Sequence, residues 1–467
     1  MKNKNSSKYV CQDCGGISPQ WLGKCPVCGK FGTLVEEIEE NVSAFGKSEK
    51  LVTVNPTPLN DIKYETFKRV SSGIAEFDTV LGGGIVPYSI ILLGGDPGIG
   101  KSTVLTQISG ELAKQNKVLY VSAEESLSQV KLRCDRLGIN SNNLMVLNEC
   151  RLEAVESACE DFNYIIIDSI QAVYLSELQS SAGSVTQVRE CASKLMRLAK
   201  NKRKTIFIVG HVTKDGNIAG PKVLEHMVDT VIHFEGDKYK SYRILRSIKN
   251  RFGNTSEVGI FEMHTLGLKE VKNPNELFLN ERSQISTPGS AIIVTNEGTR
   301  PLLVEIQALV GTTSYPTPRR VTNGIDMSRL HQILAVLEKR VGLNLSKQDV
   351  YVNVMGGIEV DEPSADLGIA LAIATCANDI VVDSQTVIIG EIGLSGEIHP
   401  VDNIEKRLNE AIASGFKKAI IPFANKIESD KIEIVPVKKH MDAKKFSTYI
   451  FKLLYKGLNS NIFDNIS

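Results

Sequence analysis

The sequence predicts a three-part α/β chain: an N-terminal zinc ribbon, a P-loop core built on a mostly parallel sheet, and a C-terminal α/β domain. Three observations carry this. Cys-x-x-Cys occurs twice within the first thirty residues, at Cys11/Cys14 and Cys25/Cys28. The apolar run Ile90-Ile-Leu-Leu93 leads directly into Gly95-x-x-x-x-Gly100-Lys101-Ser102. Apolar strand-like runs alternate with helix-like stretches from residue 64 to about 270, and the alternation restarts after Pro288-Gly289.

At 467 residues the chain exceeds one ordinary core. The expected division is 1–36 for the four-cysteine finger, 37–62 for an acidic, polar linker, 63–272 for the nucleotide-binding core and 273–467 for the last domain. Lys plus Arg equals Asp plus Glu at 54 each, so no global basic field exists and any nucleic-acid contact must be local. Five of the nine cysteines (Cys134, Cys150, Cys159, Cys191, Cys376) are scattered singly, a pattern of reduced thiols beside one metal site. The first ten residues are polar and no apolar run has the length of a membrane span, so a cytoplasmic protein is expected, with no membrane partner.

In the finger, ten residues separate the two knuckles, and Cys11, Cys14, Cys25 and Cys28 suit a closed tetrahedral Zn²⁺ site. The metal supplies the stability that so short a segment cannot find in a core. With four protein ligands no open position remains for catalysis. Trp21, between the knuckles, is expected to be a packing anchor, with an exposed stacking surface as its alternative.

In the core, Gly95, Asp96, Pro97, Gly98, Ile99, Gly100, Lys101, Ser102 and Thr103 form the loop that wraps a triphosphate, because only a glycine-rich backbone brings N–H groups that close. Lys101 is expected to reach the β and γ phosphates, and Ser102 to ligate Mg²⁺. Val118-Leu-Tyr-Val121 runs into Glu124 and Glu125, placing carboxylates at a strand's C-terminal end, where α/β sheets hold their active sites. Tyr164-Ile-Ile-Ile-Asp168 ends in the carboxylate expected to hold Mg²⁺ through water. A further strand, Thr205–Val209, leads to His211 and Thr213, which either sense the γ-phosphate or merely cap a core strand.

The order of these motifs resembles the RecA recombinase superfamily. The resemblance implies ATP as substrate, and implies that Glu124 polarises the attacking water, with Glu125 as its alternative. It also implies that loops at 172–189 and 212–224, the second carrying Lys214 and Lys222, hold single-stranded DNA through its backbone. Tyr174 is the only aromatic in the two loops. Lys249-Asn-Arg251-Phe-Gly253 resembles the signature pentapeptide of the RadA (Sms) family of bacterial DNA repair proteins. That resemblance spans nearly the whole chain: a zinc finger, a RecA-like ATPase and a domain similar to the Lon protease. Lys249 or Arg251 then enters a neighbouring subunit's nucleotide site, or grips a DNA phosphate.

In the last domain, Asp361-Glu-Pro-Ser364-Ala-Asp-Leu-Gly368 resembles the Lon segment that carries the nucleophilic serine, and Ser364 falls on that position. Lon-type proteases activate their serine with a lysine. Here the base position is expected at Glu405, and Lys406, rotated about 100° away on a helix, does not substitute. The dyad is therefore incomplete and the domain reads as a scaffold. Lys339, Arg340, Lys406, Arg407, Lys417 and Lys418 either line a duplex-binding surface or are ordinary solvated faces.

The resemblance implies a DNA-dependent ATPase motor, a homohexameric ring that promotes branch migration on single-stranded and branched DNA alongside the RecA recombinase filament. The competing classes are an ATP-dependent serine protease and a circadian-clock-type ATP-binding signalling protein.

Overall fold

The computed structural model describes residues 6–11, 16–39, 58, 68–210, 223–236, 242–271, 273–279 and 287–437. The chain forms two compact units, Met1–Lys272 and Asn273–Ser467.

The first unit opens with a small antiparallel sheet in which β1 (Ser6–Cys11) lies between β2 (Ile17–Ser18) and β3 (Leu34–Glu39). Among the described residues its core cluster is Cys11, Cys25 and Leu34, with Tyr9 and Leu22 packed against them. So few apolar side chains cannot hold a fold of this size without a crosslink or metal.

The P-loop core follows, with elements α1 (Ala75–Val80), β4 (Ile90–Gly95), α2 (Lys101–Leu112), β5 (Val118–Ser122), α3 (Leu127–Arg136), β6 (Leu144–Leu147), α4 (Leu152–Ala158), β7 (Tyr164–Asp168), α5 (Val185–Asn201), β8 (Thr205–Val209), α6 (Val223–Met227), β9 (Thr230–Glu235), β10 (Tyr242–Asn250), β11 (Val258–His264) and β12 (Gly267–Glu270). They build a nine-stranded sheet in the order β12-β11-β10-β9-β4-β8-β7-β5-β6. From β9 to β6 every pairing is parallel, whereas β9 to β12 pair antiparallel.

The parallel strands are apolar throughout because both faces are covered. Successive residues serve opposite faces: Ile91 and Leu93 pack with α2 residues Leu105 and Ile108, while Ile90 and Leu92 pack with Val188 and Leu195 of α5. Each crossover returns a parallel strand beside its partner, so the C-terminal ends of β4, β5, β7 and β8 meet along one edge.

In the second unit, α7 (Pro274–Leu279), β13 (Ser290–Glu297), β14 (Arg300–Thr312), β15 (Arg320–Asn323), α8 (Met327–Val336), β16 (Gln348–Val354), α9 (Asp366–Ala377), β17 (Thr386–Ile388), β18 (Glu391–Ile392), β19 (Ile398–His399), α10 (Ile404–Ala413), β20 (Lys418–Pro422) and β21 (Glu433–Val437) succeed one another. Seven of the strands form a mixed sheet, β15-β16-β14-β13-β17-β20-β21, and β18 pairs with β19 separately. Helix α9 is buried over most of its length, Asp366 to Thr375, which explains its almost unbroken apolar sequence.

Candidate functional site

The P-loop lies between β4 and α2, as its sequence requires. A Cβ on Gly95 would stand 2.5 Å from the carbonyl oxygen of Phe234 in β9, so this position excludes any side chain. Gly98 has φ 80°, in the left-handed region that glycine adopts without strain. Ile99 instead turns inward and anchors the loop in the core, while Asp96, Pro97 and Gly98 are exposed.

Lys101, at the start of α2, is 4% exposed. Its Nζ donates to the carbonyl oxygens of Gly95 (2.7 Å) and Asp96 (2.8 Å), so the ammonium is folded back on its own loop. Burial pushes its pKa down to about 8 against the opposing pull of Asp168, Asp96 and Glu124. The structure thus gathers one desolvated cation and three carboxylates at the ends of β4, β5 and β7.

Asp168 closes β7 and is 8% exposed. Ser122 of β5 pairs with it in register, and the Ala123 N–H donates to the Asp168 carbonyl, which fixes the start of the Glu124 segment against β7. The two glutamates then part. Glu124 is exposed and accepts a hydrogen bond from the Ser169 hydroxyl. Glu125 receives both terminal nitrogens of Arg133, forming an ion pair with helix α3. Helix α3 is set by a capping box in which Ser126 and Gln129 satisfy each other's backbone N–H.

The pentapeptide is more firmly held than a solvent-facing turn. Strand β10 runs through Lys249 and Asn250, with a register shift between Ser247 and Lys249. Lys249 Nζ donates to the carbonyls of Glu225 (2.7 Å), His226 (3.2 Å) and Val228 (2.9 Å), capping the end of α6. Arg251 donates to Asp229 Oδ1 at 3.2 Å, and Asp229 Oδ2 accepts from the Ile90 N–H at 3.1 Å. The pentapeptide is therefore tied through one carboxylate to the first residue of the P-loop strand. Asn250 donates to the Leu81 carbonyl, and Arg69 donates to the Phe252 carbonyl at 2.5 Å. Gly253 has no positive φ, and a Cβ there would stand 3.2 Å from the Asn250 amide nitrogen and 3.5 Å from Gly82 Cα, a close but not prohibitive approach.

Of the two loops expected to meet DNA, the first is shorter than its sequence suggests. Helix α5 begins at Val185 behind the Ser184 N-cap, so residues 185–189 are helical. Gln187 is 1% exposed, and its amide bonds Leu175, Leu178 and Ser180, which pins the loop in one conformation. In the second loop and just before it, His211, Thr213, Lys214 and Lys222 lie outside the described residues.

In the ribbon, the Sγ atoms of Cys11, Cys25 and Cys28 lie within 4.8 Å of one another, and Cys11 and Cys28 are 3.7 Å apart. Thiolates about 2.3 Å from a tetrahedral zinc stand roughly 3.8 Å apart, so this donor set fits that ion. Hydrogen bonding from backbone N–H groups, that of Cys28 first, lowers the Cys25 thiol below its ordinary range. Cys14 lies outside the described residues. Trp21 is 60% exposed and Phe31 76%, so the expected packing role of Trp21 is replaced by an outward-facing ring. Among the described residues the core cluster of the ribbon is Cys11, Cys25 and Leu34, and Trp21 is not part of it.

The second unit corrects the expected dyad. Glu405 and Lys406 are both exposed on α10. The residue facing Ser364 is Arg407, which is 0% exposed and donates from Nη1 to Ser364 Oγ at 3.1 Å and to the Val294 carbonyl at 2.6 Å. Its Nη2 pairs with Glu362. Helical spacing decides this: Ile404, Arg407, Leu408 and Ala411 form the buried face, and position 405 points away from it. A guanidinium remains charged at any physiological pH and has no lone pair to take a proton, so it cannot serve as the base. Arg407 is accordingly not part of a surface for duplex DNA either.

Sequence reasoning placed Arg407 on a basic surface rather than beside Ser364, and missed Asp229, Arg69, Gln187 and Ser169. The apolar spacing of α10 was a usable signal for Arg407. Nothing in the sequence marks Asp229, whose partners come from β4 and β10.

Comparison with known proteins gives three family matches along the chain: a Rubredoxin metal binding domain over residues 9–36, an AAA domain over 56–217 and Subunit ChlI of Mg-chelatase over 322–425. The DNA repair protein RadA of Bacillus subtilis (strain 168) is 52% identical over 430 residues, covering 90% of this chain and 93% of that one. Among solved structures, a KaiC-like protein from Pyrococcus horikoshii OT3 matches at 19% identity with a TM-score of 0.38, covering 44% of this chain and 99% of its own. The RadB recombinase matches at 18% identity with a TM-score of 0.35, covering 43% of this chain and 99% of its own. Among the described residues, no helix is long and apolar enough to cross a membrane.

Proposed function

The chain belongs to the DNA repair protein RadA family, and from that premise we propose that it is a DNA-dependent ATPase that moves recombination intermediates by branch migration alongside a RecA recombinase filament. The observation that carries the reading is the Asp229 bridge, which joins the P-loop strand at Ile90 to the pentapeptide at Arg251.

In this reading the P-loop from Gly95 to Thr103 binds the triphosphate. Lys101 exchanges its two loop carbonyls for phosphate oxygens, and Ser102 directly and Asp168 through water would hold Mg²⁺. The metal, when bound, offsets the charge that develops between the β and γ phosphates. Glu124 orients the attacking water, since it stands exposed beside Asp168 with its carboxylate steadied by Ser169. Glu125, the alternative for that role, is assigned instead to its ion pair with Arg133.

Lys249 and Arg251 complete the machine in an assembled homohexamer. To reach a neighbour's nucleotide or a DNA phosphate, Lys249 must leave the carbonyls at the end of α6. That helix directly follows the loop proposed to grip single-stranded DNA, so nucleotide state and DNA grip move together. The zinc ribbon, with four cysteine ligands, serves recognition, and the Lon-like domain is a scaffold rather than a protease.

ATP hydrolysis with and without single-stranded DNA, and movement of a branched DNA substrate, measured on wild type, Lys101→Ala and Lys249→Ala, test this. Lys101→Ala should lose both activities, and Lys249→Ala should lose DNA movement. Wild-type ATPase indifferent to DNA across a range of salt, together with no movement of branched DNA, would sink the proposal.

A further inference from the structure

Tyr120 lies in the middle of β5, 0% exposed, two residues before the residue that pairs with Asp168. Parallel pairing puts the side chains of residues 120, 122 and 168 on one face of the sheet, the face covered by α2. Packing alone asks for an apolar ring there. A buried hydroxyl costs stability unless it is bonded, and this one donates to Asp168 Oδ2 at 2.6 Å. A phenol carries its proton at neutral pH, so the hydroxyl is the donor and the carboxylate the acceptor.

The ring is backed by a cation. The Arg133 guanidinium lies 5.9 Å from the ring centroid, with its side chain only 10% exposed, and its far side is bound by Glu125. A continuous line of contacts therefore runs from Glu125 through Arg133 and Tyr120 to Asp168, separate from the contact between Ser169 and Glu124.

We propose that Tyr120 is a positioning residue for the carboxylate that would hold magnesium: its hydroxyl bonds Asp168 Oδ2 and so fixes the orientation of that carboxylate, with Arg133 holding the ring in place. The inference rests on the reading of this site as a Mg²⁺-dependent ATPase. It assigns the paired glutamates different tasks, Glu124 toward the attacking water and Glu125 toward the orientation of Asp168.

The test is binding of a fluorescent ADP analogue to the full-length protein, titrated with Mg²⁺, together with denaturant unfolding. Tyr120→Phe should leave metal-free nucleotide affinity unchanged while raising the Mg²⁺ concentration for half-maximal tightening by about 3- to 10-fold, the size of one lost hydrogen bond. Arg133→Gln should shift it in the same direction by less. An unchanged Mg²⁺ requirement in Tyr120→Phe overturns the proposal, as does an equal loss of affinity with and without the metal. Should Tyr120→Phe fail to fold, an unchanged Mg²⁺ requirement in Arg133→Gln overturns it instead, and a raised one supports it. Wild-type protein whose nucleotide affinity ignores Mg²⁺ would instead overturn the ATPase reading on which the inference stands.

Discussion

Arg407 donates a hydrogen bond to the Ser364 hydroxyl at 3.1 Å from a position with no solvent exposure, and pairs on its other side with Glu362. A donor that cannot accept a proton thus stands where a hydrolase would need a base. Wild type and Ser364→Ala should both leave an unfolded protein substrate intact in the presence of ATP. Arg407→Met leaves Glu362 without its partner and should cost about 3–5 kcal/mol in urea unfolding of the C-terminal unit. Arg407 also contributes to acid stability. Glu362 is half-buried, and although that burial raises its carboxyl, Arg407 holds it below the ordinary range. This stabilisation is present above the unfolded-state pKa and is lost as pH falls through the lowered folded value.

Lys101 makes nucleotide affinity depend on alkaline pH. With its ammonium desolvated on the carbonyls of Gly95 and Asp96 its pKa is about 8, and phosphate oxygens at the ammonium raise it. Between those two values, binding takes up a proton, so the dissociation constant should rise by up to about tenfold per pH unit above 8. Below pH 8 the lysine is already charged and affinity should be nearly flat. Calorimetry in buffers of different ionisation enthalpy would reveal the proton uptake, and its absence at pH 9 would contradict the assignment.

The two glutamates should separate kinetically. Glu124→Gln should reduce kcat by about 10²- to 10⁴-fold with nucleotide binding retained, as expected for loss of the group that orients the water. Glu125→Gln should retain most of kcat and should destabilise the protein by about 1 kcal/mol, because its partner Arg133 is largely buried while Glu125 itself is partly exposed. Steady-state kinetics alongside thermal unfolding distinguish the two, and equal losses of kcat would refute the division.

Lys249→Ala should have a structural signature besides its effect on DNA movement. Three carbonyls at the end of α6 lose their donor, so the segment should exchange backbone hydrogens faster, at a cost of about 1–2 kcal/mol. Hydrogen exchange confined to residues near 223–229 checks this. If protection there is unchanged, the cap does not hold the segment.

Zinc should bind the ribbon stoichiometrically and be lost in Cys25→Ser, read by metal analysis. Trp21 offers a second readout because it is the only tryptophan and is 60% exposed. Its emission should lie at the long-wavelength end, and soluble quenchers should reach it freely in the zinc-bound protein. Blue-shifted, protected emission would place the ring in a packed interior.

Local pattern determined a great deal of this protein. Glycines in fixed spacing between a strand and a helix, followed by Lys101 and Ser102, specify a phosphate loop locally, because backbone sterics act over a few residues. Apolar runs ending in Glu124 or Asp168 likewise placed both carboxylates at strand ends, since a strand buried on both faces must be apolar until it emerges. Tertiary structure alone decided what those carboxylates touch. That Asp168 meets Tyr120, that Asp229 joins Ile90 to Arg251, and that Glu124 meets Ser169 depend on strand order, which brings together residues tens of positions apart. The distinction between Glu405 and Arg407 is the sharpest instance. Motif spacing counts residues along the chain, but a helix turns about 100° per residue, and only its packed face decides which side chain enters the site.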